Sequence, residues 1–94
     1  MSAPLSAKSR AALKARAHAL EPVVHVGAGG LTEAVVAEID RALTAHELIK
    51  IRAGAAERDA RAAMLEAVCA RTGASPVQTV GKVLVVWRPR PADA

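Results

Sequence analysis

Helical and extended patterns alternate along this chain, and that alternation restricts its fold more than any other feature. Helical patterns cover about residues 5–18, 32–45 and 57–72, whereas short apolar runs at 23–26, 47–52, 75–80 and 83–88 indicate strands. The order α-β-α-β-α-β-β contains two β-α-β units, whose right-handed crossovers place both helices on one sheet face. The sequence therefore predicts an α/β (α+β) fold with a four-stranded mixed sheet. It also predicts one domain over residues 1–94, with an ordered core of about 5–91 and helices mainly on one face.

Local signals mark where these elements begin and end. Ser6 and Thr32 are placed to cap the first and second helices, and Gly73 is placed to end the third. Pro76 suits an edge strand or a strand start. Gly81, first in the Gly-Lys pair between the last two strands, suits a type II′ hairpin turn. The last strand is the most apolar, so we expect it to lie centrally in the sheet.

The first helix and the second strand each separate apolar from basic side chains. On the helix we expect an apolar side formed by Leu5, Ala12, Leu13 and Leu20. A basic stripe at spacing i, i+4, i+8 consists of Arg10, Lys14 and His18. On the second strand, alternation places Lys50 and Arg52 on one sheet face, which the helices of the β-α-β units need not cover.

The charge of the chain favours a polyanionic partner. The net charge is +4 and the isoelectric point is about 10.0. Residues 1–20 and 50–94 are basic, whereas residues 21–49 carry five acids and one base. A basic surface of this kind is typical of nucleic-acid binding, although a surface of ordinary solvated arginines gives the same composition. Trp87 is the only aromatic residue of the Phe, Trp and Tyr class, which excludes a base-stacking platform built from several aromatic rings.

Catalytic and metal-binding patterns are weak. His18, His25 and His46 fall in different predicted elements without metal-like spacing, and we expect His46 on the inner side of its helix. Cys69 lies in a helical apolar pattern, where a core role is favoured over a nucleophilic one. We therefore expect no enzyme activity, no metal and no cofactor. The single cysteine and the absence of a signal-peptide or membrane-span pattern predict a soluble cytoplasmic protein that does not bind membranes.

A glycine-rich loop joins the first strand to the second helix. Its sequence, Val-Gly-Ala-Gly-Gly-Leu-Thr at residues 26–32, contains GxxG but neither GxxxxGK[ST] nor GxGxxG. Main-chain N–H groups bared by glycine can bind phosphate oxygens, and GxxG loops in RNA-binding modules clamp the nucleic-acid backbone. The candidate RNA-binding residues are the loop and the bases expected to flank it: Gly27, Ala28, Gly29, Gly30, Arg10, Lys14, His18, Lys50, Arg52, Lys82 and Arg88, with Arg90 beside the last of these.

Three segments together resemble the CRM domain, and more closely its stand-alone bacterial YhbY form. They are PVVHVGAGGLT at 22–32, HELIKI at 46–51 and VGKVLVVWRP at 80–89. The resemblance extends from residue 5 to residue 91. It implies a fold similar to the C-terminal domain of translation initiation factor three. It also implies RNA binding and association with precursors of the large ribosomal subunit, with ribosomal proteins as possible further partners. We expect such a protein to be a monomer.

Two departures from the resemblance bear on the site. Ala28 and Gly29 stand where relatives often carry a polar or basic residue, so the loop offers main-chain donors without a side-chain charge. Trp87 stands where an aromatic such as Tyr is usual, which changes the hydrogen-bonding tip.

Two alternatives stay open. One is a module that recognises a ribosomal protein through the open sheet face. The other is a small phosphoryl-binding enzyme, disfavoured because the Lys-Ser/Thr pair and metal-binding acids are missing.

Overall fold

The computed structural model describes residues 5–54 and 56–90, and the predicted order of elements is confirmed there. The rest of the predicted domain, residues 1–4, 55 and 91–94, lies outside the described residues. The helices are α1 (Ala7–Ala17), α2 (Glu33–His46) and α3 (Arg58–Thr72). The strands are β1 (Pro22–His25), β2 (Leu48–Arg52), β3 (Ser75–Val80) and β4 (Val83–Trp87). None of the described helices is long and apolar enough to cross a membrane.

The predicted caps and turns form as their chemistry requires. Ser6 Oγ accepts the Ser9 N–H at 3.1 Å, and Thr32 Oγ1 accepts the Val35 N–H at 3.2 Å. Gly73 closes α3 in the left-handed conformation, with φ 76°. Gly81 has φ 57°, whereas Lys82 does not have positive φ, as a type II′ turn requires. These local interactions fix the element boundaries within a residue or two of their predicted positions.

The four strands form one mixed sheet in the order β1-β2-β4-β3. β1 and β2 are parallel, and both other pairs are antiparallel. The apolar β4 is central and the Pro76 strand is an edge, as predicted. The carboxyl ends of the parallel strands β1 and β2 therefore lie at the same side of the sheet as the β3–β4 hairpin. We call this side the loop end; among the described residues it consists of 26–32, 52–54, 56–61 and 81–82, and both α2 and α3 begin there.

Helices cover the two sheet faces unequally. On one face, α2 and α3 enclose the main core, in which Ile39, Leu43, Val68 and Leu84 have no solvent exposure. This arrangement is the one that two right-handed crossovers dictate. On the other face lies α1, which covers only part of the sheet.

The contact between α1 and the sheet differs in detail from the prediction. The buried side chains of α1 are Leu13 and Ala17, which pack with Leu48, Val77 and Val85, and the half-buried Leu5 joins them. Ala12 and Leu20 are exposed, so their predicted core position is wrong. Leu20 lies beyond the end of α1, where helical periodicity no longer sets its direction.

His46 also departs from its predicted position. It is the last residue of α2 and is exposed, not on the inner side of the helix. The next residue, Glu47, has φ 65° and turns the chain into β2. The end of the helix is therefore not covered by the sheet at this point.

Candidate nucleic-acid interface

The glycine loop forms a tight turn with its tip exposed. The Gly30 N–H donates to the Gly27 carbonyl at 3.0 Å, which places Ala28 and Gly29 at the tip. Gly30 has φ 73°, a conformation that side chains with a Cβ disfavour. The Gly30 N–H is used within the turn, whereas the N–H groups of Gly27, Ala28 and Gly29 have no main-chain acceptor in the described part of the chain.

Strand pairing holds the glycine loop beside two basic side chains. His25, just before the loop, pairs with Arg52, and the Val26 N–H donates to the Arg52 carbonyl at 2.8 Å. The Ala53 N–H donates in turn to the Lys82 carbonyl at 2.8 Å. Gly54 lies under both bases: a Cβ placed there would be 3.7 Å from Arg52 Nε and 3.9 Å from Lys82 Cδ. The loop end thus brings the glycine loop, Arg52 and Lys82 together.

A cleft of about 300 Å³ opens on the sheet face that α1 leaves uncovered. His18 comes from the residue after α1, while Lys50 and Arg52 come from one face of β2, as their alternation predicts. Its other lining side chains include Gln78, Val80 and one acid, Glu21. We call it the cationic cleft. Because Arg52 belongs to both the cleft and the loop end, the two surfaces are continuous.

The two other predicted bases of α1 lie along the same helix. Lys14 is exposed and Arg10 is half-buried. They precede His18 by one and two helical turns, so the stripe leads to the cationic cleft. Two positively charged side chains therefore extend the basic surface away from the sheet.

Arg88 lies apart from the other predicted site residues. Its guanidinium donates to Asp40 Oδ1 at 2.6 Å, to the Asp40 and Thr72 carbonyls at 3.0 and 2.8 Å, and to Thr44 Oγ1 at 3.0 Å. It follows β4 at the side of the sheet opposite the loop end. Arg90 donates to the Thr44 and Ala45 carbonyls near the end of α2. Both arginines therefore brace helix ends, where cations are stabilising.

Two arginines of the loop end were not among the site residues predicted from the sequence. Arg58 and Arg61, in the first turns of α3, line a second cleft of about 380 Å³ with Thr79 and Gly81 of the β3–β4 hairpin. The signal that could have found them is the β-α-β topology itself, since it starts α3 at the same side of the sheet as the hairpin.

Side chains that could bind a metal or act as a nucleophile do not cluster in the described residues. No group of three or more possible metal ligands occurs among residues 5–54 and 56–90. Cys69 packs against the main core, and burial raises the pKa of its thiol. A thiol of raised pKa is a weak nucleophile at neutral pH, which fits the predicted core position of this residue.

Comparison with known proteins identifies the family. Residues 5–88 match the CRS1/YhbY (CRM) domain. The chain belongs to the CRS1/YhbY family. It is 47% identical over 85 residues to a Haemophilus influenzae protein named "RNA-binding protein", covering 90% of this chain and 86% of that one. It is 44% identical over 87 residues to a Pseudomonas aeruginosa protein named "Probable RNA-binding protein", covering 93% and 84%.

A solved structure has the same fold as this CRM-family chain. The solution structure of a hypothetical Staphylococcus aureus protein, described as a candidate RNA-binding protein, superposes with a TM-score of 0.84 at 28% identity. The superposition covers 96% of this chain and 94% of that one. The small α+β domain with three helices and a four-stranded mixed sheet is therefore shown by both the structure and its neighbour.

Proposed function

We propose that this CRM-family protein binds RNA through the sugar-phosphate backbone, using the loop end and the cationic cleft. The observation that carries the proposal is the continuity of the two surfaces through Arg52: on one side lie the free N–H groups of the glycine loop, and on the other lie Lys50 and His18. Two relatives bear names that describe them as RNA-binding proteins, which supports the same activity here.

The chemistry of this surface suits phosphate better than bases. Lysine and arginine side chains neutralise phosphate, and main-chain N–H groups donate hydrogen bonds to its oxygens without reading the sequence. Trp87, by contrast, is half-buried and packs with Leu13 and Val85 beneath α1. It is not placed to stack on a base, so recognition rests on the shape and charge of the RNA backbone.

The basic side chains contribute unequally to RNA affinity in this proposal. The glycine loop has no charged side chain, so Lys50, Arg52 and Lys82 supply most of the electrostatic attraction. Lys14 and Arg10 lengthen the surface along α1. Arg88 takes no part, since its donors are already engaged with α2 and α3.

We further propose that the RNA is a structured segment of the large-subunit ribosomal RNA precursor, bound by a cytoplasmic monomer. The support is the resemblance of the three sequence segments to YhbY proteins. A domain that reads backbone shape also needs a folded RNA to gain selectivity. The test is crosslinking in cells followed by sequencing of the attached RNA. Reads concentrated in large-subunit precursor support the proposal, and reads spread over messenger RNA contradict it.

The RNA-binding proposal itself is tested by the salt dependence of affinity. Fluorescence anisotropy with a labelled RNA measures Kd at several salt concentrations, for the unsubstituted protein, Lys50→Ala and Arg41→Ala. Lys50 lines the cationic cleft, whereas Arg41 is exposed on α2 and serves as the matched loss of one charge. We expect Lys50→Ala to lower the slope of log affinity against log salt by about 0.7–0.9, the contribution of one phosphate contact.

The outcomes of this titration separate the candidate functions. An unchanged slope in Lys50→Ala, or an equal change in Arg41→Ala, would contradict binding at the cationic cleft. Affinity for a free nucleotide that exceeds the affinity for RNA would instead favour a phosphoryl-binding enzyme.

A further inference from the structure

The first turns of α3 separate two clefts at the loop end. On one side, Glu57, Ala60 and Met64 face the glycine loop across a cleft that Gly27, Ala28 and Gly30 complete. On the other side, Arg58 and Arg61 face the β3–β4 hairpin. The start of α3 is thus a ridge with the glycine loop on one flank and the hairpin on the other.

The two clefts differ in charge. The cleft beside the glycine loop contains an acid, Glu57, and no base among its lining residues. The cleft beside the hairpin contains two arginines and no acid among its lining residues, with Asp59 exposed nearby in the first turn of α3. An anion that reaches this ridge is therefore attracted to the hairpin side.

The hairpin cleft also offers oriented donors. Arg61 Nη1 donates to the Ala56 carbonyl at 2.8 Å, which fixes the guanidinium, while its Nε is buried without a partner in the described residues. Nη2 makes no hydrogen bond within the described residues, so it is the nitrogen left to donate to a ligand. Arg58 is exposed, and Thr79 adds a hydroxyl group. A guanidinium can pair with a phosphate through two parallel N–H···O bonds, and Arg58, one helical turn before Arg61, adds a second positive charge to the same cleft.

We propose that Arg58 and Arg61, with the β3–β4 hairpin, form a second phosphate-binding site, so that a bound RNA crosses the ridge of α3 instead of ending at the glycine loop. The inference rests on the proposed RNA binding for its ligand, but the site itself recognises a phosphate group of any source. Lys82 follows Gly81 of this site in the hairpin turn, and its side chain and that of Arg52, which lines the cationic cleft, both lie within 4 Å of a Cβ placed on Gly54.

The site is tested first without RNA. Inorganic pyrophosphate is titrated into the full-length ¹⁵N-labelled protein at constant ionic strength, and amide shifts are followed by NMR. We expect saturable amide shifts at Arg61, Thr79 and Gly81. The Kd obtained from these shifts should rise at least several-fold in Arg58→Ala. Shifts that do not saturate, or that are confined to the glycine loop, would overturn the proposal. Arg61→Lys, which keeps the charge but loses the planar fork, is expected to weaken the shifts while the protein stays folded.

RNA binding then separates this site from the cationic cleft. Arg58→Ala should lower the salt slope of RNA affinity by about 0.7, as expected for one contact to a single strand, while Arg41→Ala leaves it unchanged. An unchanged slope in Arg58→Ala overturns the second site even when Lys50→Ala has its expected effect. If the protein binds no RNA, the proposed function fails, whereas saturable pyrophosphate shifts at Arg61 would still establish the anion site.

Discussion

Replacing Arg88 with alanine should destabilise the protein and leave RNA binding of the folded protein unchanged. The side chain is 21% exposed and joins α2 to the last residue of α3 through four hydrogen bonds. Its ionic partner Asp40 is 56% exposed, so water replaces much of that interaction once the guanidinium is gone.

The expected magnitude follows from the individual contacts. The half-buried bond to the Thr72 carbonyl contributes about 1 kcal/mol, and the charge interactions with Asp40 and the helix ends add about 1 kcal/mol more. A total loss of about 2 kcal/mol corresponds to a fall in Tm of roughly 8–16 °C for a domain of this size. The matched control is Arg71→Ala, since its partner Glu33 is 89% exposed and the pair should contribute less than about 0.5 kcal/mol.

The assay combines chemical denaturation with RNA titration of the same preparations. Denaturation gives the free energy of unfolding of Arg88→Ala, Arg71→Ala and the unsubstituted protein, and the titration is made well below each Tm. The reasoning is refuted if Arg88→Ala keeps full stability. It is also refuted if the slope of log RNA affinity against log salt falls in folded Arg88→Ala by the amount expected for Lys50→Ala. Arg88 would then be a phosphate contact, as the sequence predicts.

Three further substitutions and measurements address single features. Glu57→Gln should raise RNA affinity about 2–5-fold at low salt, since it removes a like charge from the cleft beside the glycine loop and Glu57 makes no side-chain cap bond; lower affinity in the same titration would contradict this. Gly29→Asp should weaken RNA binding by about tenfold, because it places a negative charge at the tip of the glycine loop. Its circular dichroism spectrum should be unchanged, because a Cβ there is 3.9 Å from Thr32 Cγ2, an ordinary contact; unchanged affinity would remove the loop from the interface. Cys69 should react with iodoacetamide at pH 8 more slowly in the folded than in the unfolded protein, because burial raises its pKa and lowers the thiolate fraction; equal rates would contradict its burial.

The fold could be predicted where local chemistry decides the structure. Ser6, Thr32 and Gly73 act through neighbours three or four positions away, so the sequence shows both the residue and its partner. Likewise, alternation along β2 is enough to put Lys50 and Arg52 on one face. The cationic cleft was therefore foreseeable in its main residues.

The features that the sequence did not predict depend on contacts between distant parts of the chain. Arg88 was predicted to bind RNA because a base in a sequence gives no sign of its partners, and Asp40 lies 48 positions away. On α1, the choice of Ala17 over Leu20 for the core follows from where the helix ends against the sheet. The shared cleft of Arg58 and Arg61 with the hairpin appears only once the hairpin and the start of α3 are placed at one side of the sheet.

We propose above that RNA lies across the loop end and the cationic cleft. The most direct measurement is the pattern of amide chemical-shift changes when RNA is added to the ¹⁵N-labelled protein. Binding as proposed concentrates the changes at residues 27–30, 50–54 and 81–82 and leaves the end of α2, around Thr44 and the neighbouring Arg88, unchanged. Changes centred on the end of α2, with none at the glycine loop or along β2, would contradict the account.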